Sequence, residues 1–286
     1  MIELIVGPLG YDIFLRSLVA VVMVGIACAV VGTYVVLKGL AFIGDAISHA
    51  AFPGVVVAYL LGGSYLIGAG IAAVSTALAT RYITRRGNLR SDTSIGVLFA
   101  GMFALGIFLF STIRGYVGDL FGFLVGNVLA ISPTDLVALV ILATGTLAIV
   151  AILWKELLYA TFDPLGAAAS GLKVEALEYL FLALVALTVV ISLQAVGIIL
   201  VVAMLVTPPA AAQMLTVRFG RLVGLAVAIS VASSVIGLYL SFWLDVASGA
   251  TIVLTQTAAF LVALFVGPRR RALARRDNSH HVPVPG

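Results

Sequence analysis

The sequence predicts an all-α protein, a polytopic bundle of transmembrane helices, and three observations carry that prediction. Of 286 residues, 63% are hydrophobic and only 10% charged, and the mean hydropathy of +1.24 is one that water-soluble domains do not approach. Apolar runs of about twenty residues, the length that crosses a hydrocarbon core as a helix, recur along nearly the whole chain, where an outer-membrane barrel would show alternating strands of roughly ten. The basic residues are confined to the connections between those runs.

Spans fall at roughly 14–37, 41–62, 64–82, 94–112, 134–154, 178–193, 195–207, 221–243 and 250–267. Nine crossings are expected, with eight also compatible. They collect Lys38, Arg81, Arg85, Arg86, Arg90, Lys155, Lys173, Arg218, Arg221, Arg269, Arg270, Arg271, Arg275 and Arg276 on one side, 14 of the 16 basic residues. Only Arg16 and Arg114 fall on the other. The positive-inside tendency makes the first side the cytoplasm, so the N-terminus is expected outside and the C-terminus inside. The pI near 9.4 therefore reflects membrane topology, and no nucleic-acid partner is expected. The opening MIELIVGPLGYDIF has no basic n-region and no A-x-A-like site, so the first span is expected to stay in the mature protein. Cys28 is the single cysteine, which leaves neither a disulfide framework nor a cysteine metal cluster.

Along the chain, the small residues of GIACAVVG in the first span and GAGIAAVSTALAT in the third predict close helix packing. Residues 115–133, apolar but short and interrupted by Asp119 and four glycines, are expected to form an outer re-entrant or interfacial helix. The apolar run from Leu177 to Val206 is too long for one crossing unless strongly tilted, so a bend is expected at SLQAVG, with Gln194 and Gly197 near the outer surface. Phe162 to Tyr179 forms the longest cytoplasmic connection and a candidate docking loop for a soluble partner. Residues 1–267 thus form the transmembrane domain. Residues 268–286 form a basic tail, expected to be disordered and held to anionic lipid, in which the neighbouring His280 and His281 are a weak metal motif. The uncharged polar residues Gln194, Asn127, Thr207, Thr255 and Gln256 suit helix–helix hydrogen bonds or loop caps.

One pair in the apolar runs is different. In GDAISHAAFPG, Asp45 and His49 stand four residues apart, so on a helix they lie one turn apart on the same face and can point at one ion. Carboxylate and imidazole suit Zn2+, Mn2+ and similar divalents. An aspartate in mid-membrane costs about 2.5–3.5 kcal/mol on insertion scales, tolerable where it faces a wet cavity or a cation, so Asp45 is expected to face the bundle interior. Pro53 has no N–H for the carbonyl of His49, which loosens the helix beside the pair. On spacing alone a plain intramembrane hydrogen bond, Asp45 accepting from Ser48, His49 or a neighbouring helix, accounts for the pair equally well. A metal site usually needs four ligands and one helix supplies two, so a two-fold dimer with this helix along its axis would complete it.

Beyond the pair itself, VVLKGLAFIGDAISHAAFPGVVVAYLLG resembles the second-helix signature of permeases in the metal-ion branch of ABC importers, the manganese, zinc and iron uptake systems. FGFLVGNVLAISPTDL, SLQAVGIILVVAMLVTPPAAAQMLTVRFGRL and LDVASGATIVL are similar to further blocks of that family, so the resemblance spans about residues 3–267. It implies a type II-like importer permease, multi-pass in the bacterial plasma membrane. It further implies a second permease copy, as a homodimer or pseudo-dimer, two cytoplasmic ATPase subunits and an external metal-binding protein. Asp45 and His49 match the family's D-x-x-x-H and would be transient ligands for Mn2+ or Zn2+, with Fe2+ also acceptable to such donors, and no permanently bound cofactor is implied. Pro208, Pro209, Ala210, Ala211, Ala212, Gln213, Met214 and Leu215 match the region where more distant permeases place the helix that couples to the ATPase. The bland reading of PPAAAQML is a helix end and a tight turn.

The chain is not expected to be an enzyme. None of its lysines, Lys38, Lys155 and Lys173, lies in G-x-x-x-x-G-K-[ST], so hydrolysis would come from a separate subunit. An intramembrane Ser–His hydrolase fails because Ser48 and His49 are adjacent and point about 100° apart on a helix. An ATP-independent transporter or channel for divalent cations, with Asp45 as a proton relay, is the remaining alternative. A siderophore or corrinoid cargo would favour a wide cavity without such ligands.

Overall fold

The structure, a computed structural model, describes residues 7, 8, 10–113, 128 and 131–279, with backbone alone at 199 and 268–279. The stretch 115–133 falls for the most part outside these residues, as do Arg114, Asn127, His280 and His281. The described elements are all helices: α1 (Asp12–Leu37), α2 (Ile43–Ala50), α3 (Phe52–Leu60), α4 (Tyr65–Arg86), α5 (Ser91–Ser111), α6 (Pro133–Ile152), α7 (Trp154–Phe162), α8 (Pro164–Ala169), α9 (Val174–Leu215), α10 (Phe219–Leu244) and α11 (Ser248–Ser279). With α2 and α3 counted as one span, eight stretches among the described residues are long and apolar enough to cross a membrane. Leu200–Leu215 is a ninth, shorter apolar helix. The seventh crossing, expected at 195–207, overlaps the first half of this helix, which runs on through Leu215 and at 1.5 Å per residue is roughly 24 Å long.

The bend expected at SLQAVG is present. Helix α9 breaks at Gly197, whose φ of 79° and ψ of 171° lie where only glycine is comfortable. Contacts on either side show that the chain turns back there. Glu178 pairs with Arg81 and approaches Lys38, at the ends of α4 and α1. Val196 lies beside Gly249, at the start of α11, whereas Met214 lies against Gly267, where the span of α11 ends. The two halves of α9 therefore run in opposite directions, and the second half runs parallel to α11. Gln194, at the bend, donates from Nε2 to Asp135 Oδ1 at 2.8 Å, the inter-helix bond expected of it. Asp135 in turn belongs to the cap of α6, where Ser132 Oγ accepts from the Asp135 N–H at 3.1 Å and Pro133 occupies the first turn.

Helix α1 and the first half of α9 form the centre, with 67% and 78% of their most apolar window buried, against 17% for α5. The small residues do what their pattern predicts. A Cβ on Gly54 would stand 2.1 Å from the carbonyl oxygen of Gly68, and one on Gly68 2.2 Å from that of Gly54, so α3 and α4 cross backbone to backbone. Gly32 faces the carbonyl oxygen of Leu205, 1.9 Å from where its Cβ would be. That carbonyl is the one Pro209, four residues on, has no N–H to serve. The sequence thus frees an acceptor in α9 and removes the side chain of α1 that would cover it.

Candidate functional site

Pro53 sets the local structure of the site. The continuous span Ile43–Leu60 divides at Ala51 into α2 and α3, so Asp45 stands in the first turn of an eight-residue helix and His49 in its last. A carboxylate in the first turn of α2 suits the positive end of the helix dipole, by about 0.3–1 kcal/mol. Ile43, Ala46, Ile47 and Ala50 recur at helical spacing and are buried, which leaves Asp45 and His49 on the flank. Gly44 holds α2 close to α9, where a Cβ would stand 2.7 Å from Leu205 Cδ2.

His49 Nδ1 lies 2.9 Å from the carbonyl oxygen of Asp45 and 3.4 Å from its Oδ1. Facing a carbonyl, Nδ1 is the donor, which leaves the lone pair of Nε2 free to bind a metal, the arrangement usual for a ligating histidine. The imidazole is held between Phe99 and Phe103 of α5, each ring centred 5.1 Å away and turned 88° from it. Those two rings, one turn apart, are parallel to within 4°. Gly106 brings α5 against the break, a Cβ there falling 2.6 Å from Phe52 Cδ1 and 3.1 Å from Pro53 Cδ. Ser48 donates its hydroxyl to Gly44 rather than to Asp45. The side chains remain open to one side of the chain, His49 23% and Asp45 44% exposed. Among the described residues no third His, Cys, Asp or Glu joins them in a ligating cluster.

Pro208 to Leu215 forms the last two turns of α9. Pro208, Pro209, Ala211 and Ala212 are buried in the bundle, Ala210, Met214 and Leu215 are half-buried, and Gln213 is exposed. The turn that follows brings Val217 out to 85% exposure.

A family model described as "ABC 3 transport family" matches residues 10–267, nearly all of the chain. The chain belongs to the ABC 3 transport family. Among curated relatives of this family member, the manganese transport system membrane protein MntC of Halalkalibacterium halodurans is 45% identical over 267 residues, 93% of this chain and 91% of that one. The chelated iron transport system membrane protein YfeD of Yersinia pestis is 42% identical over 264 residues, 92% and 89% of the two chains. In structure the fold is similar to PsaBC of Streptococcus pneumoniae, solved in complex with a Fab, with a TM-score of 0.84 and 36% identity over 96% of this chain and 100% of that one. The resemblance drawn from the second-helix and C-terminal motifs is therefore sound, and the protein is a multi-span membrane permease of the ABC type.

Two parts of this ABC 3 chain had no signal in the reading of single motifs. Phe99 and Phe103 stand at i and i+4 in an apolar span, a pattern that also describes any lipid-facing or core stripe, and only the fold brings them to His49. Lys38, Arg81 and Glu178 come from three distant stretches and meet at one end of the bundle.

Proposed function

We propose that the chain is the membrane-spanning subunit of an ATP-driven importer of divalent metal ions in the plasma membrane, with its C-terminus in the cytoplasm. Mn2+ is the first cargo, in keeping with the names of the manganese relatives, and the same donors accept Fe2+ and Zn2+. The observation that carries this reading is the Asp45–His49 pair, one turn apart on one flank, with His49 Nδ1 engaged and Nε2 left free. Asp45 supplies a hard anionic oxygen and His49 an imidazole nitrogen, while a second copy of the chain supplies the same two again. A set of this kind binds the ion only in passing, because conduction needs binding weak enough to release. Residues 1–267 carry the pathway, and 268–286 form a basic tail at the lipid surface.

ATP hydrolysis is supplied by two separate cytoplasmic subunits. They dock on Pro208 to Leu215, chiefly through the accessible end at Gln213 and the turn after it, and their closure moves the second half of α9 and the helices packed on it. An external metal-binding protein delivers the ion at the opposite face. The test is manganese uptake by proteoliposomes holding the chain, its ATPase and its binding protein. Asp45→Asn and His49→Ala, inserted at normal levels, are expected to slow uptake by at least about tenfold. Uptake at the unaltered rate would refute the ligand roles, and flux from the chain alone without ATP would replace the importer with an ATP-independent transporter.

A further inference from the structure

The basic end of the bundle holds a cavity of about 330 Å3, room for roughly ten water molecules. Its wall includes Lys38, Thr80, Arg81, Thr84, Ser91 and Glu178, drawn from α1, α4, α5 and α9. The charges do not balance there. Arg81 Nη2 engages Glu178 Oε2, and Lys38 Nζ stands 4.0 Å from Oε1 of the same carboxylate, so two cations share one anion and one positive charge is left over. Hydrogen bonding is incomplete too, since Arg81 Nε and Thr84 Oγ1 are buried with no hydrogen-bond partner and Glu178 Oε2 has none beyond its ion pair with Arg81.

We propose that this cavity binds a phosphate group, carried either by the headgroup of an anionic lipid or by a free phosphate. A tetrahedral oxyanion supplies what the wall lacks, negative charge for the surplus cation, and it presents oxygens that guanidinium, ammonium and hydroxyl groups can bond. A metal cation is excluded by Lys38 and Arg81 themselves. The state of Lys38 agrees. Burial holds its ammonium below the usual lysine range, Glu178 offsets this only in part, and Arg81 adds to it. The neighbourhood extends the basic character, with Arg86 lying over the Tyr82 ring, 5.6 Å from its centre. This inference rests on nothing at Asp45 or His49.

The experiment uses the full chain purified in neutral detergent, with native mass spectrometry and thermal unfolding as readouts. The probes are phosphatidylglycerol, phosphatidylcholine as the neutral control, and inorganic phosphate. Unaltered protein is expected to bind phosphatidylglycerol or inorganic phosphate, and to unfold at a higher temperature with it; which of the two does so identifies the source. Lys38→Gln removes a charged donor and is expected to weaken binding by about tenfold or more. Glu178→Gln removes the competing carboxylate and is expected to strengthen it. The proposal is overturned if neither anion binds better than phosphatidylcholine, or if both substitutions shift binding in the same direction.

Discussion

At the scale of single residues, the pair proposed to meet the ion depends on the groups that aim it. His49 is tied by Nδ1 to the carbonyl of its own helix and held by two phenyl rings of another. Replacing either ring by leucine keeps apolar bulk but lets the imidazole turn. In the double substitution Phe99→Leu and Phe103→Leu, metal affinity is expected to fall by about tenfold or more, the usual range for a lost supporting contact. Co2+ offers a check that packing alone would not move, since its absorption bands report whether an imidazole nitrogen is bound. Unchanged affinity and spectra would mean that the rings serve only to pack α5 on α2. The Asp45–His49 pair was legible because its signal is local, two donors at i and i+4 before a proline. The clamp was not, because a phenylalanine in an apolar span carries no mark of what it will touch.

At the scale of elements, the same distinction separates what the chain shows from what only folding creates. Hydropathy marks the spans, and the bend at Gly197 was legible because an apolar run from Leu177 to Val206 exceeds the bilayer. That the returning helix, Leu200–Leu215, packs beside α11 depends on tertiary contacts and carries no local sign. Glycines show both sides of the matter, since a small-residue stripe predicts close approach without saying which glycine makes it. Gly54 and Gly68 meet backbone to backbone and Gly32 faces the unserved carbonyl of Leu205, whereas Gly70 has nothing within 4 Å of a built Cβ. Alanine at Gly54, Gly68 or Gly32 must push a backbone aside, at a cost of about 1–3 kcal/mol or more. Gly70→Ala in the same helix as Gly68 is expected to stay within about 0.5 kcal/mol of unaltered protein. Unfolding temperatures of the four variants in detergent check this. Equal destabilisation by Gly70→Ala would mean that the loss comes from something other than the helix crossing.

At the scale of the whole molecule, the proposed ligand pair amounts to half of a coordination sphere. Asp45 and His49 lie open on one flank, and no third ligating side chain joins them among the described residues. Two ligands on one helix hold a divalent ion too loosely to select it. Two copies related by a two-fold axis along α2 would present two carboxylates and two imidazoles, enough to replace much of the hydration shell of Mn2+ or Zn2+. The axis then dictates a stoichiometry. The assembled permease is expected to bind about one ion for every two chains, as read by equilibrium dialysis against manganese. A linked pair in which only one copy carries Asp45→Asn should fall between the unaltered pair and the doubly altered one, because three of the four donors remain. One ion per chain, or a half-altered pair that binds as tightly as the unaltered one, would show that each copy completes its own site and that α2 does not line the axis.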